Sequence, residues 1–365
     1  MKVLFILENY YPNIGGVETL FKSLAEKLAG HGHTITVLTN RFDSKLKKYE
    51  NLNGVQIIRL NLKNRYLFTF FAAFKATQLA AKHDFIHTTS YNAGVPAWIA
   101  SVLSRKKVII TFHEVWGKLW FKLPYINKLS ALFHFLFEYM LLKLSFDKFI
   151  AVSEATRSAL INAGVDERKV LRIYNGLDYS DYVNTHVHHK SDEFQFCFFG
   201  RLGISKGINL ILEATELLVQ ETKRFKLTMI VPTQPASFLQ KVINTIRSKS
   251  LHPYIEIKHE LSFNELKNTI THSDAVIIPS YSEGFCYAAV ESIALGTAVI
   301  SSGKGSLKEV VSGPHIHFED LNALSLKAAM IKALNNEWQH TEPKRFELDQ
   351  SVEAYEMLYN KMVSE

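Results

Sequence analysis

Two glutamates eight residues apart, Glu283 and Glu291, are the first candidates for chemistry in this chain. They bracket Ser280-Tyr-Ser-Glu-Gly-Phe-Cys-Tyr-Ala-Ala-Val-Glu291, which directly follows the apolar run Ala275-Val-Ile-Ile-Pro279. Such a run reads as a parallel strand buried on both faces, and Ser292-Ile-Ala-Leu-Gly296 continues a helical pattern. Gly284, Phe285, Cys286 and Tyr287 therefore fall at a strand-to-helix turn, with the helix expected to start near Phe285. The first turn of a helix offers unpaired N–H groups and the positive end of the dipole, and phosphate is the usual anion found there. Glu283 then lies just before the helix and Glu291 about a turn and a half into it, one near reacting atoms and the other near a ligand's hydroxyls. The same spacing also fits a solvated helix face.

Three other stretches pair chemistry-bearing residues with a strand end. Phe194 to Phe199 is followed by Gly200-Arg201-Leu-Gly-Ile-Ser-Lys206-Gly207. Arginine brings a rigid fork for phosphate oxygens and lysine a second point charge, but the Gly-x4-Gly-Lys-Ser/Thr loop is absent. Val3 to Leu7 is followed by Tyr11-Pro-Asn-Ile-Gly15-Gly16-Val-Glu18, where proline and paired glycines make a turn that lets backbone approach a ligand. It lacks Gly-x-Gly-x-x-Gly, which disfavours a nicotinamide dehydrogenase. Val108 to Phe112 ends in His113-Glu114, and parallel sheets bind ligands at the carboxyl ends of their strands.

These sites need strands and helices to hold them. Leu20, Leu24 and Leu28 recur at helical spacing, and Thr34 to Leu38 reads as the next strand, so the chain opens with a βαβ unit. Val55–Leu60, Phe85–Thr88, Phe149–Val152 and Val170–Tyr174 read as further strands, and Tyr66–Ala81 as a helix. After Thr185-His-Val-His-His-Lys-Ser-Asp192 the pattern restarts with Phe194–Phe199, Leu227–Val231, Ile255–Lys258 and Val299–Ile300. Three histidines in four positions could bind a metal, but no further ligands complete a site, and the segment reads as an interdomain linker. A length of 365 residues suggests two domains, here 1–186 and 187–345.

A net charge of +7 points to anionic ligands or an anionic membrane surface rather than specific nucleic-acid binding. Two cysteines, Cys197 and Cys286, form no disulfide framework and suit a reducing compartment. Met1 to Leu7 is too short for a signal-peptide core, and no run of about 18 apolar residues suggests a spanning helix.

The Glu-x7-Glu element, the opening Pro-x-x-Gly-Gly-x-Glu, the Gly-Arg-x4-Lys turn and His113 together resemble the retaining glycosyltransferases of family 4, the group 1 transferases. Val152-Ser153, Asn175-Gly-x-Asp178 and Gly303–Ser306 match that family's remaining segments in order. The resemblance implies an α/β GT-B fold, two Rossmann-like doubly wound domains facing across a cleft. The first would bind acceptor and the second donor, with helix 346–365 packing back on the first. It implies transfer of a sugar, with retention, from a nucleoside-diphosphate sugar (a UDP-sugar or GDP-mannose) to a glycan or lipid-linked acceptor. Cell-surface polysaccharide, lipopolysaccharide or glycolipid synthesis would be the setting. His113, Glu283, Arg201 and Lys206 would be catalytic. Gly15, Gly16, Arg201, Lys206, Gly284, Phe285, Cys286, Tyr287 and Glu291 would bind donor, Glu291 at the ribose hydroxyls. No Asp-x-Asp pair is present, so no metal and no cofactor are expected. Two departures are Glu114 in place of Asp, and Pro232-Thr-Gln-Pro235 where the family has a glycine-rich turn.

Two alternatives stay open: a sugar-nucleotide epimerase on the same fold, and a catalytically silent sugar-nucleotide-binding protein. The expected compartment is the cytoplasm, with a peripheral place on the inner face of the membrane as a further expectation. Lys118–Lys148 and Tyr66–Lys82, rich in aromatics and lysines, read as membrane-surface helices, with core covering the first sheet as the alternative for Phe133–Leu144 of the first segment.

Overall fold

The computed structural model describes every residue except Ile14, Lys63, 183–191 and Glu365. The chain divides into two compact units, Met1–Lys122 with Ile126–Gly176 and Phe346–Glu365, and Leu123–Tyr125 with Leu177–Arg345. The division falls at Gly176, whereas the expected boundary at 186/187 and the histidine cluster lie outside the described residues. Backbone contact explains why Gly176 still belongs to the first unit. A Cβ there would stand 2.3 Å from Leu348 Cα, so only glycine lets this segment pass so close to the returning chain.

In the first unit, β1 (Lys2–Ile6), α1 (Gly16–Gly30), β2 (Thr34–Asn40), β3 (Tyr49–Leu52), β4 (Val55–Leu60) and α2 (Arg65–Ala80) come first. They are followed by β5 (Phe85–Thr89), α3 (Gly94–Ser104), β6 (Val108–Phe112), α4 (Lys128–Lys143), β7 (Lys148–Ala151), α5 (Glu154–Asn162) and β8 (Val170–Arg172). The strand order is β3-β4-β2-β1-β5-β6-β7-β8, with only β3 antiparallel. Val3 stands opposite Ile35 on one side and Phe85 on the other, so β1 is central. Burial on both faces is why Val3 to Leu7 is apolar without alternation. Successive strands lie to opposite sides of β1, a topological switch point of the kind that opens a crevice at the carboxyl edge of a doubly wound sheet.

The second unit repeats the plan with β9 (Phe194–Phe199), α6 (Ile208–Val219), β10 (Phe225–Ile230), α7 (Ala236–Ser248), β11 (Ile255–Lys258), α8 (Phe263–Thr271) and β12 (Ala275–Ile278). Then come α9 (Tyr287–Ala294), β13 (Ala298–Ser301), α10 (Leu307–Val310), β14 (Pro314–His317), α11 (Ala323–Leu334) and β15 (Gln339–His340). The order β11-β10-β9-β12-β13-β14-β15 puts its switch point between β9 and β12. The last helix, α12 (Leu348–Ser364), belongs to the first unit. Its Tyr355 and Tyr359 are fully buried, and Tyr359 Oη lies 2.5 Å from His87 Nδ1 on β5. No helix among the described residues is long and apolar enough to cross a membrane.

Candidate active site

The second unit gathers its charged candidates at the carboxyl ends of the two strands flanking its switch point. The turn after β9 carries Arg201, exposed, and Lys206, half-buried. The turn after β12 carries Glu283, which is buried. Lys206 Nζ donates to Glu283 Oε1 at 2.7 Å, and Ser280 Oγ donates to the same oxygen at 2.6 Å. The carboxylate is thus fixed by a cation and a hydroxyl at once.

Backbone packing that only glycine permits holds these turns. Gly207 has φ of +69°, and a Cβ on it would lie 2.1 Å from Pro279 O. Gly305 has φ of +59°, and its Cβ would lie 2.3 Å from Glu283 O. The next residue closes the joint, Ser306 N donating to Glu283 O at 2.9 Å, while Ser302 Oγ donates to Ser280 O at 2.6 Å. Three loops that are distant in sequence therefore build one wall.

Helix α9 begins at Tyr287, two residues later than the sequence suggested, because Cys286 takes a left-handed conformation (φ 67°, ψ 77°) and breaks the helical path. The Cys286 side chain makes no cap hydrogen bond, and the amides of Ala289 and Val290 donate to Cys286 O. Phe285 and Tyr287 meet edge to face with ring centroids 5.3 Å apart. Burial pushes the Cys286 thiol well above its usual range, with Glu283 adding to the effect, so it stays protonated. Glu291 accepts from Tyr182 Oη at 2.9 Å. Burial raises the Glu291 carboxyl above its ordinary value, and the Tyr182 hydrogen bond partly offsets that.

The first unit holds the other candidates. Gly15 and Gly16 open α1 after β1, and Asn13 Nδ2 donates to the buried Glu18 at 3.0 Å. His113 follows β6, where its carbonyl accepts from Thr156 Oγ1 at 3.3 Å and Phe21 meets its ring edge at 6.5 Å. His87 lies beneath, fully buried, its pKa lowered to about 3 by burial and then by His113. Gly15, Gly16 and His113 thus lie in one unit, and Arg201, Lys206, Gly284 to Tyr287, Glu283 and Glu291 in the other.

Sequence reading did not find Tyr182, whose partner lies 109 positions away, nor the role of Glu138. Glu138, on α4, is 1% exposed and accepts four hydrogen bonds. The donors are Gly117 N at 2.8 Å, Trp120 Nε1 at 3.0 Å, Trp116 N at 3.2 Å and Tyr91 Oη at 3.3 Å. Burial raises its carboxyl and these donors oppose the rise. It anchors the loop that follows His113. Nearby, Glu8 pairs with Arg65 at 3.1 Å and accepts from Asn92 Nδ2 at 2.7 Å.

Comparison with known proteins gives the family and the fold. Residues 14–181 match the family described as Glycosyltransferase Family 4, and residues 185–351 match the Glycosyl transferases group 1. The chain is 26% identical to an uncharacterized glycosyltransferase of Methanocaldococcus jannaschii, across 85% of this chain and 83% of that protein. It is 24% identical to the alpha-monoglucosyldiacylglycerol synthase of Streptococcus pneumoniae, across 86% of this chain and 73% of that protein. Among solved structures it superimposes on Anabaena HepE in complex with UDP and glucose, with a TM-score of 0.75, 17% identity and 99% of each chain covered. The chain therefore belongs to the family 4, group 1 glycosyltransferases and has their GT-B fold of two Rossmann-like parallel-sheet domains.

Proposed function

We propose that this glycosyltransferase moves a sugar, with retention and without a metal, from a nucleoside-diphosphate sugar to a glycan or lipid-linked acceptor. The observation that carries the reading is the Lys206–Glu283 contact of 2.7 Å at the switch point of the second unit. A buried carboxylate held by a lysine just before the start of α9 offers a polar contact for a sugar and a cation for a diphosphate. HepE, on the same fold, is described with UDP and glucose. The pneumococcal relative is by name a synthase of a glucosyldiacylglycerol, in keeping with a lipid acceptor.

In this reading Arg201, Lys206 and the first amides of α9 neutralise the diphosphate as it leaves. Glu291 accepts hydrogen bonds from the ribose hydroxyls, which a carboxylate does well. Glu283 orients the donor sugar, and Gly15, Gly16 and His113 keep the substrate-contact roles that the resemblance implies. The bond from the anomeric carbon to the phosphate oxygen breaks as the acceptor oxygen bonds on the same face. The acceptor's proton passes to the departing phosphate oxygen. Catalysis is then positioning and charge stabilisation. A cytoplasmic role in cell-surface polysaccharide or glycolipid synthesis suits such donors.

The test is a panel of UDP- and GDP-sugars incubated with the protein in excess EDTA. Release of nucleoside diphosphate from one donor, with the product's anomeric configuration unchanged by NMR, is the expected result. An epimerised sugar nucleotide with no release would make it an epimerase, and binding without release a silent binder. Loss of activity in EDTA with rescue by Mg²⁺ or Mn²⁺ would overturn the metal-free reading.

A further inference from the structure

An amphipathic surface helix ordinarily turns its apolar stripe toward the core. Helix α4 does the reverse. Leu129, Leu132, Phe133, Leu136 and Met140 recur at the three- and four-residue spacing of one helical face, and all are exposed, Phe133 by 65%. The inward positions are Ala131, Leu141, Leu142 and the hydrogen-bonded Glu138. Helix α2 shows the same inversion. Phe70, Phe71 and Phe74 are 72%, 64% and 75% exposed, while its inner face is Phe68, Ala72, Ala76 and Ala80. Both helices contact the short 3-10 turn Tyr91–Ala93, which sets them beside a common segment of the first unit. Single exposed apolar residues need no explanation, whereas contiguous patches mark an interaction surface.

The charges around these faces select the partner. Helix α2, the 3-10 turn Gly117–Lys122 and α4 carry Lys75, Lys118, Lys122, Lys128 and Lys143. Their one carboxylate is Glu138, which is buried. Arg65, at the start of α2, pairs with Glu8. Exposed phenyl and leucyl side chains ringed by lysines fit a surface that is apolar a few ångströms down and negatively charged on top. A second copy fits poorly, since a self-complementary interface would set the same lysines against one another. A spanning mode is not available to these helices.

We propose that the outward faces of α2 and α4 dock this protein on an anionic phospholipid bilayer, with Phe70, Phe71, Phe74, Phe133 and Leu136 entering the headgroup region. The lysines hold the lipid phosphates, and the bilayer is the site from which a lipid-linked acceptor is reached. This deepens the transfer reading above, and only the purpose of the docking rests on that reading. The helices cover the sheet with small residues and present their bulky apolar ones outward.

The experiment is sedimentation with vesicles of phosphatidylglycerol and, separately, of phosphatidylcholine. Wild-type protein should pellet with the anionic vesicles and not the neutral ones. Binding should weaken from ~0.05 M to ~0.5 M salt, as screening shortens the reach of the lysines. Phe70→Ser, Phe71→Ser and Phe74→Ser combined, and separately Leu132→Ser, Phe133→Ser and Leu136→Ser combined, should each weaken vesicle binding roughly tenfold or more. Both variants should keep the thermal shift given by UDP- or GDP-sugars, which also shows that they fold. Equal pelleting with both vesicle types, or variants that bind like wild type, would overturn the docking. So would a wild-type dimer that the same substitutions dissociate. Vesicle binding with no nucleotide-sugar turnover refutes the transfer reading and leaves the surface standing. Turnover on a soluble acceptor without vesicle binding does the opposite.

Discussion

The two sheets reverse strand order in the same way, yet their carboxyl edges are furnished differently. In the second unit the turns after β9 and β12 are drawn together by glycines that touch backbone, and a buried carboxylate is balanced by a lysine at 2.7 Å. In the first unit two carboxylates join separate elements. Glu8 joins Arg65 and Asn92, and Glu138 joins the 116–120 loop. Topology supplies a place for a ligand in both. Among the described residues, the second unit sets a lysine against its buried carboxylate just before α9, whereas in the first unit Trp116 and Trp120 pair on the loop after β6.

The largest test of that contrast is removal of the cations. Arg201→Ala and Lys206→Ala should each lower donor turnover roughly 100- to 1000-fold, the scale of losing one charge-stabilising donor. The melting of the first unit should be untouched. Near-wild-type turnover in both variants would dissolve the distinction between the units. Within the second unit, Glu291→Gln should chiefly weaken nucleotide binding, by about tenfold to 100-fold if a charged hydrogen bond worth about 1.5–3 kcal/mol is lost. Glu283→Gln should chiefly lower kcat. Titration calorimetry with UDP or GDP alongside steady-state kinetics separates them, and equal losses in both quantities for both variants would point to simple misfolding.

The first unit responds to different changes. Glu138→Gln replaces one acceptor oxygen by an NH₂ facing N–H donors, and should destabilise this unit by about 1–3 kcal/mol. Urea unfolding followed by tryptophan fluorescence reads that directly, since Trp116 and Trp120 sit on the loop it holds. An unchanged midpoint would mean that the loop is held by something else.

A test of a different kind concerns pH. His87 has a folded pKa of about 3, against 6.5 when free, chiefly because it is buried. Below 6.5 the unfolded chain therefore binds more protons. The stabilising contribution is complete above 6.5 and is lost as pH falls toward 3, by up to ~1.4 kcal/mol per pH unit. His87→Gln should flatten this limb of the stability–pH curve for the first unit even if it lowers stability overall. An unaltered slope would show that other groups set the acid sensitivity.

Much of this was legible in the sequence because buried parallel strands are written as unbroken apolar runs. Val3–Leu7, Val108–Phe112 and Ala275–Ile278 were all found that way. Strands β3 and β15 were not, since edge strands of four and two residues with exposed side chains carry no such mark. Lys206 and Glu283 were each named, but their contact spans 77 positions and depends on Gly207 and Gly305 closing the turns. The Tyr182–Glu291 bond had no local signal at all. Glu138 is the one carboxylate of the apolar stretch Lys128–Lys143, and nothing local marks it as buried. Helical spacing shows that a stripe exists, not which way it faces, and here the core chose the side with the small residues and the glutamate.

Helix α12 has a consequence for synthesis. The segment that seats Tyr355 and Tyr359 against β5 and β6 is encoded after the whole of the second unit. On the ribosome the first unit must wait, with an aromatic-lined slot open along its sheet, until Phe346 and the residues beyond it emerge. The second unit, drawn almost entirely from one continuous stretch, has by then left the exit tunnel and is free to fold. Order of completion is therefore the reverse of order of translation. A chain terminated just before Phe346 would carry a finished second unit and an unfinished first one, displaying aromatic surface to chaperones and proteases.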